Sequence, residues 1–287
     1  MRFTCIKIVT FLLLSTNVCA QLKIQKRAFV NASTQLDYII YDNSKERAVR
    51  DVVIFLHGGG QSGEEPQLPS ILNESFTHPY FFILPHLNNK KAFWNKTMVM
   101  ELLYSILDEF DLNQVKIHLV GFSRGASAAW ELAMEYPDQW SSLTVVSGRA
   151  PLPIYAHWIS EKLPVNIFHS EIDDKMPFEE VERFVQSLKK RNPFIHFKTE
   201  NKIGHELGEF AFNQEFFDSI EQLEFRGMNE DDFIDLREVS HRFEYDMRYA
   251  MSNNFLRQKV YPCARCVLRV KTAKSLIKAA TALQPLG

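Results

Sequence analysis

Residues 116–130 read Lys-Ile-His-Leu-Val-Gly-Phe-Ser-Arg-Gly-Ala-Ser-Ala-Ala-Trp, and this stretch decides the fold. Its first five residues are mostly apolar, as in a central strand that is buried on both faces of a parallel sheet. The Gly121-Phe122-Ser123-Arg124-Gly125 motif follows directly, and alanines then open a helical stretch. Strand, tight turn and helix are the context in which a G-x-S-x-G serine is projected as a nucleophile. The two glycines permit a strained turn without a Cβ clash, so we expect Ser123 to be the reactive hydroxyl.

Strand-length and helix-length segments alternate on both sides of this stretch. Apolar runs and amphipathic stretches alternate from about residue 36 to residue 226, which is typical of repeated βα units. The predicted strands are Leu36–Tyr41, Val52–Leu56, Phe81–Pro85, Val115–Val120, Leu143–Val146, Val165–His169 and Ile195–Thr199. The predicted helices are Val99–Phe110, Ala126–Tyr136, Phe178–Arg191 and Asn213–Leu223. The sequence therefore predicts an α/β fold with a mostly parallel sheet flanked by helices.

A second glycine-rich turn lies nearer the N-terminus. His57-Gly58-Gly59-Gly60 follows the predicted strand Val52–Leu56. Glycines directly after a strand leave backbone N–H groups free to point at a developing oxyanion. We expect the N–H groups of Gly59 and Arg124 to form an oxyanion hole, although a simple reversal of the chain would also account for the glycines.

A nucleophilic serine needs a base that is held by a carboxylate, and both candidates lie on loops that follow predicted strands. Where a strand–turn–helix serine of this kind is catalytic, the chain order is serine, acid, histidine. Asp173, four residues before Pro177, is the predicted acid, with Asp174 and Glu171 as alternatives. His205 is the predicted base. Such loops lie at the sheet edge where α/β proteins form their crevices.

Taken together, these motifs resemble the α/β-hydrolase superfamily, in its small carboxylesterase and polyester-depolymerase-like branch. The resemblance covers about residues 36–226. The segments that carry it are Leu56-His57-Gly58-Gly59-Gly60-Gln61-Ser62, Gly121-Phe122-Ser123-Arg124-Gly125 with Pro137-Asp138, His169 through Asp173 to Pro177, and Gly204-His205. It implies the α/β-hydrolase fold and acyl transfer through Ser123, His205 and Asp173, without a metal or an organic cofactor.

Two features depart from the pattern of that superfamily. Ser170 stands where the H-G-x-x-D pattern usually has glycine. Arg124 and Ala126 make the serine turn bulkier than in many members. Neither departure removes a catalytic group, so we expect changes in turn geometry or substrate reach rather than loss of the reaction.

The first twenty residues have the features of a secretory signal peptide. Arg2 and Lys7 precede the short apolar run Phe11–Leu14, and Val18-Cys19-Ala20 ends in small residues. This order predicts cleavage after Ala20 and a secreted or periplasmic protein without a stable membrane span. An uncleaved anchor is the alternative, but the apolar run is shorter than the ~20 residues of a spanning helix.

Composition narrows the classes of protein further. The chain has 287 residues, 46% of them hydrophobic and 24% charged, which is the composition of a globular protein. A formal net charge of −2 gives no general electrostatic reason to expect nucleic acid binding. The expected partner is a small-molecule or polymer ester substrate, and the sequence does not determine the oligomeric state.

A composition shift after about Gly227 indicates a small C-terminal appendage, so the predicted parts are residues 1–20, 21–226 and 227–287. Residues from about 231 onward resemble the beginning of a D-alanyl-D-alanine dipeptidase, a zinc enzyme. After Ala250 this chain has no His, Asp or Glu, so the segment cannot complete a zinc site. A basic amphipathic helix is expected to contain Val267 and Ala280, and Cys263 and Cys266 are expected to be packed thiols or one disulfide.

These observations favour an exported serine hydrolase, specifically a carboxylesterase. The alternatives are a dipeptidase-related cell-wall protein and a noncatalytic binding protein with an α/β-hydrolase-like fold. The order of Ser123, Asp173 and His205 on suitable loops argues against a noncatalytic role. The choice among ester, thioester and peptide substrates, and the acyl and alcohol specificity, stay open.

Overall fold

The structure of the protein is a computed structural model that describes residues 23–30, 35–43, 51–59, 80–89, 92–207, 225, 228–240, 243 and 245–283. The chain divides into two compact units, Met1–Asn213 and Gln214–Gly287. The predicted signal peptide, the predicted helix at 213–223 and Gly227 lie outside the described residues. In the described ranges, no helix is both long enough and apolar enough to cross a membrane.

An eight-stranded sheet forms the scaffold of the first unit. Its strands are β1 (Lys23–Val30), β2 (Gln35–Asp42), β3 (Asp51–Leu56), β4 (Phe81–His86), β5 (Lys116–Phe122), β6 (Ser142–Val146), β7 (Val165–Ser170) and β8 (Ile195–Glu200). They lie in the order β1-β2-β4-β3-β5-β6-β7-β8. β1 with β2 and β2 with β4 are antiparallel, and the other neighbours are parallel. The prediction of a mostly parallel sheet is confirmed.

All seven predicted strands are present, but β1 was not predicted. Its sequence, Lys-Ile-Gln-Lys-Arg-Ala-Phe-Val, carries charged residues and lacks the apolar run of the central strands. Phe29 is buried, whereas Ile24 and Val30 are exposed. β1 pairs with β2 at the margin of the sheet, where charged side chains are tolerated and apolar burial is incomplete.

In the described part of the first unit three α-helices flank the sheet, and they confirm three of the four predicted helices with ends shifted by a few residues. They are α1 (Lys96–Glu109), α2 (Arg124–Glu135) and α3 (Phe178–Lys189). The side chain of Asn95 accepts a hydrogen bond from the Met98 N–H, which explains why α1 begins before the predicted Val99. Between β6 and β7 there is a 3-10 helix, Pro153–Trp158, that begins at a proline.

Helix α2 packs closely on the strands because its first residues are small. A Cβ on Gly125 would lie 1.9 Å from the carbonyl oxygen of Leu56, so only glycine fits at this position. One turn later Trp130 is fully buried, and its ring meets Phe184 of α3 edge-on with 5.1 Å between centroids. Burial of such a large apolar side chain contributes about 2–3 kcal/mol and fixes α2 beneath the serine turn.

The second unit is smaller and contains a two-stranded antiparallel sheet. Its elements are β9 (Phe233–Asp235), α4 (Leu236–Val239), a 3-10 helix (Arg248–Ala250), β10 (Val267–Arg269) and α5 (Val270–Leu283). The predicted basic helix is present but begins at Val270, and placing Val267 in it was wrong, because this residue pairs with β9. Cys263 and Cys266 are free thiols, so the disulfide alternative is not realised, and Cys263 is exposed, so its expected packing was wrong.

Candidate active site

Ser123 occupies a strained turn between β5 and α2. Its φ of 53° and ψ of −116° lie outside the regions that residues other than glycine normally adopt. Such backbone strain costs about 1–3 kcal/mol and persists only where the surrounding structure imposes it. Here the Ser123 N–H donates to the Val146 carbonyl at 2.8 Å, which holds the turn against β6. The Ser123 side chain does not cap α2, so its hydroxyl is available for another partner.

That partner is His205, which in turn contacts Asp173. Ser123 Oγ lies 2.7 Å from Nε2 of His205. Nδ1 of His205 lies 3.0 and 2.9 Å from the two carboxylate oxygens of Asp173. Because Nδ1 faces a carboxylate, it carries the proton of the neutral ring, and Nε2 is left to accept from the hydroxyl. The structure thus brings together three residues that are far apart in the chain.

The Asp173 carboxylate is held in place by the turn that follows β7. Its Oδ1 accepts hydrogen bonds from the N–H groups of Lys175 and Met176 at 2.9 and 2.8 Å. The two alternative acids have other surroundings, because Asp174 is exposed and Glu171 accepts from the Thr199 hydroxyl at 2.8 Å. Among the three carboxylates considered in the sequence, Asp173 is the one that contacts the histidine.

Ser170, the departure from the usual glycine, joins the acid loop to the histidine loop. Its side chain is fully buried at the end of β7. The hydroxyl donates to the Ile203 carbonyl at 2.5 Å and accepts from the Ile172 N–H at 3.1 Å. Ile203 is two residues before His205, and Ile172 is next to Asp173, so one hydroxyl links the two segments that carry the acid and the base.

The glycine turn after β3 lies beside the serine turn. A Cβ on Gly58 would lie 3.1 Å from Cβ of Ser123, and one on Gly59 would lie 2.9 Å from Nη2 of Arg124. The Arg124 N–H belongs to the first turn of α2, whose N–H groups have no intrahelical acceptor and lie at the positive end of the helix dipole. This proximity agrees with the predicted oxyanion donors, Gly59 and Arg124, whose role stays a prediction. Gly60 lies outside the described residues.

His57 has a structural role that the sequence did not reveal. Its Nε2 accepts from the Leu87 N–H at 3.0 Å, so Nδ1 carries the proton and donates to the Gly58 carbonyl at 2.7 Å. Burial lowers the pKa of His57 to about 4, and the ring is therefore neutral near pH 7. The imidazole connects the glycine turn to the segment after β4. The only sequence signal for this was the position of His57 directly before the glycines.

The bulky Arg124 is accommodated by contacts that lead away from the serine. Its Nη1 donates to the Ala92 carbonyl at 2.8 Å. Its guanidinium lies 5.3 Å from the centroid of the Phe93 ring, a cation–π distance. The side chain therefore anchors the segment before α1, while its backbone N–H remains in the turn beside Ser123.

The described sheet, its flanking helices and the buried Ser–His–Asp cluster define the class of this protein. The first unit has the α/β-hydrolase fold, as the sequence predicted. Residues 109–218 match the model of the phospholipase/carboxylesterase family. Residues 229–287 match the D-Ala-D-Ala dipeptidase family, so both resemblances stated from the sequence are confirmed. No curated protein matches the chain in sequence.

Solved esterase structures have the same fold. A thermostable esterase aligns with a TM-score of 0.53 and 18% identity, over 70% of this chain and 60% of its own. An esterase of Pyrococcus furiosus aligns with a TM-score of 0.54 and 15% identity, over 77% of this chain and 100% of its own. An acylaminoacyl peptidase of Pyrococcus horikoshii reaches 0.58 with 13% identity, over 76% of this chain and 44% of its own. At these identities, the similarity establishes the fold alone.

In the part of the chain that the structure describes, no three His, Cys, Asp or Glu side chains are grouped so that they could hold a metal ion.

Proposed function

We propose that the protein is an exported serine hydrolase, a carboxylesterase, that cleaves esters through Ser123, His205 and Asp173. The observation that carries this proposal is the 2.7 Å contact between Ser123 Oγ and His205 Nε2, with Asp173 on the other ring nitrogen. The strained turn supports it, because a serine held at a sharp strand–helix turn exposes its hydroxyl to an incoming carbonyl. The phospholipase/carboxylesterase match and the esterase structures support an ester as the substrate.

In the proposed reaction, His205 Nε2 takes the hydroxyl proton of Ser123 as Oγ attacks the ester carbonyl. Asp173 stabilises the imidazolium that forms. The N–H groups of Gly59 and Arg124 donate to the oxyanion of the tetrahedral intermediate. His205 then gives its proton to the leaving alcohol, and an acyl-enzyme remains on Ser123.

Water completes the cycle. His205 removes a proton from the water that attacks the acyl carbonyl, and the proton passes to Ser123 Oγ when the acid leaves. The chain itself provides every group used in these steps, which involve no change of oxidation state.

Export is the second part of the proposal. Residues 1–20 carry the order of basic residues, apolar run and small residues that signal peptidases recognise. Expression in a secreting host and mass spectrometry of the purified protein test this directly. A mature N-terminus at Gln21 is expected, and recovery of intact Met1 in the cell fraction would contradict export.

Hydrolysis of p-nitrophenyl acetate and butyrate tests the chemistry. We expect turnover by the mature protein and a loss of about 10⁴-fold or more in Ser123→Ala. Ser187→Ala is a matched control, because its hydroxyl donates to the Arg183 carbonyl on α3 and has no part in the proposed reaction. Its activity should equal that of the unaltered protein.

A chelator separates the proposed esterase from the alternative suggested by the C-terminal match. Turnover that is unchanged in EDTA and lost in Ser123→Ala supports a serine esterase. Turnover that is lost in EDTA and retained in Ser123→Ala would indicate a metal enzyme instead. Correctly folded protein without turnover of either ester would contradict the carboxylesterase proposal.

A further inference from the structure

A second histidine, His169, lies beside the candidate acid. It is the last residue but one of β7, and its side chain is only 1% exposed. Its Nε2 lies 2.8 Å from the Met176 carbonyl oxygen and 3.7 Å from Oδ2 of Asp173. Because a carbonyl oxygen can only accept, Nε2 carries the proton of the ring and donates to Met176. The distance to Asp173 is too long for a hydrogen bond.

Met176 connects this histidine to the acid. The Met176 N–H donates to Oδ1 of Asp173 at 2.8 Å, while the carbonyl of the same residue accepts from His169. β7 lies between β6 and β8 and pairs with both of them. A side chain on such a strand is a firmer support than one on a loop. One residue of the turn is therefore bound both to the sheet and to the catalytic carboxylate.

Each end of the acid turn is held by a side chain of β7. At its start, the Ser170 hydroxyl accepts from the Ile172 N–H at 3.1 Å. At its end, His169 donates to Met176, the residue before Pro177. A residue before proline is restricted mainly to extended backbone, so a bond to Met176 fixes the direction in which the chain leaves the turn. The candidate acid lies between these two supports.

The charge of His169 matters to the acid because the two side chains are close. A protonated His169 would place a cation 3.7 Å from the Asp173 carboxylate. That cation would oppose the formation of an imidazolium on His205, which depends on the same carboxylate. Burial lowers the pKa of His169, so the ring is neutral near pH 7. The site thus contains a second histidine beside Asp173 without a second positive charge.

We propose that His169 is a positioning residue of the candidate active site, which holds Met176 so that the turn directs the Asp173 carboxylate at His205. This inference rests on the proposed esterase function and adds a residue that acts through the acid. The orientation of the acid fixes the tautomer and the orientation of the base. Loss of the bond between His169 and Met176 should therefore slow the chemical step and leave substrate binding unchanged.

Two amide variants that differ by one methylene test the hydrogen bond. In His169→Gln the amide nitrogen can reach the position of the imidazole Nε2, whereas in His169→Asn it reaches only that of Nδ1. We expect kcat for p-nitrophenyl butyrate to fall about tenfold in His169→Asn, with KM unchanged, because a buried carbonyl loses its partner. His169→Gln should retain most of the rate. The same kcat in both variants, whether lowered or not, would overturn the proposal.

His157→Gln is the matched control. Nδ1 of His157 also lies close to a backbone carbonyl, that of Ile154, at 2.6 Å. His157 is exposed on the 3-10 helix Pro153–Trp158, and glutamine there removes a bond of the same kind away from the acid turn. Both kcat and KM should equal those of the unaltered protein. A tenfold loss in this control as well would show that the effect at His169 is not specific to the acid turn.

Nuclear magnetic resonance tests the positioning without any turnover. Nitrogen chemical shifts of the unaltered protein should show a neutral His169 ring with its proton on Nε2, and a proton on Nδ1 would overturn the proposal. The low-field proton resonance of His205 Nδ1–H, which faces Asp173, should persist in His169→Gln and broaden in His169→Asn. This pattern in a protein without ester turnover would sink the proposed function but keep the positioning role. Turnover and a His205 resonance that both ignore His169→Asn would refute the positioning role and leave the esterase standing.

Discussion

Two aspartates with buried side chains, Asp173 in the first unit and Asp235 in the second, have contrasting partners. Asp173 in the first unit contacts a histidine, and its side chain is completely buried. Asp235 in the second unit contacts two arginines, with 2.8 Å from Oδ2 to Arg237 and 3.2 Å to Arg265. Both carboxylates are therefore satisfied, but only Asp173 faces a histidine, a side chain that can both accept and donate a proton.

The partners decide what each cluster can do. An arginine remains protonated at all physiological pH values, so the Asp235 cluster is a fixed set of charges that ties β9 to the segment before β10. Hydrogen bonding from Arg237 lowers the pKa of Asp235 far below its usual range. The Asp173 cluster includes a histidine and a hydroxyl, and so it can move a proton. Of these two clusters, only the one with a histidine has the groups that the proposed reaction needs.

Replacing Asp173 with asparagine should have the largest effect on function. The amide of Asp173→Asn would allow the His205 ring to take the wrong tautomer, and we expect kcat for p-nitrophenyl butyrate to fall about 10⁴-fold. The neighbouring Asp174→Asn removes an exposed carboxylate and should retain activity. Equal losses in both variants would show that Asp173 has no special role.

Gly125→Ala should have the next largest effect, this time on folding. The added Cβ would lie 1.9 Å from the Leu56 carbonyl oxygen, so α2 must move away from the sheet. We expect a loss of about 3 kcal/mol or more in the free energy of unfolding, measured by tryptophan fluorescence in urea. Gly204→Ala is the matched control, because its Cβ would meet its nearest neighbour at an ordinary 3.7 Å. If Gly125→Ala were as stable as Gly204→Ala, α2 would have to lie further from the strands than it does in this structure.

Asp235→Asn should destabilise the second unit by about 2 kcal/mol, because two arginines lose their shared charged acceptor. The pKa of Asp235 is lowered on folding, so its contribution is present above the unfolded value of about 4 and is lost as the pH falls through the lower folded value. Hydrogen exchange of peptides from β10 and α5 should speed up in the variant at pH 7. Esterase activity should be unchanged, and a large loss of activity would contradict the contrast between the two aspartates.

The four tryptophans allow the two units to be followed separately. Trp94, Trp130, Trp140 and Trp158 all precede residue 213, so their fluorescence reports on the first unit. In Asp235→Asn we expect the unfolding midpoint measured by tryptophan fluorescence to stay the same. Hydrogen exchange in α5 should increase in the same variant.

Ser170→Gly should have the smallest effect of this series. It introduces the glycine of the H-G-x-x-D pattern, but it removes the hydroxyl that joins Ile172 to Ile203. We expect kcat to fall about fivefold with little change in KM, because a single neutral hydrogen bond contributes about 1 kcal/mol to the alignment of acid and base. Ser170→Thr retains a hydroxyl and should recover part of the rate. A change in stability alone, with kcat unaltered, would refute a positioning role.

The sequence predicted the central strands and the three residues that the site brings together, because local patterns specify both. The strands 116–122 and 51–56 are buried on nearly every position, and the serine and histidine lie on turns marked by glycine. β1 was missed because a charged strand at the sheet margin has no distinctive period.

Contacts between distant segments could not be predicted in the same way. The roles of His57 and Ser170 depend on hydrogen bonds to Leu87 and Ile203, each about thirty residues away along the chain. The sequence chose Asp173 by its spacing from Pro177, but it could not exclude Asp174 and Glu171. The contact that distinguishes Asp173 depends on the turn that orients its carboxylate towards His205.

Charged residues on the outermost strands of the described sheet have a consequence for the protein at high concentration. β1 and β8 occupy the two ends of the sheet, and they carry Lys26 and Lys198. A strand from another molecule that added to either end would place its own side chains beside these ammonium groups, and like charges opposite one another destabilise a strand pair. Lys26 and Lys198 therefore disfavour the pairing of strands between two molecules at either margin of the described sheet.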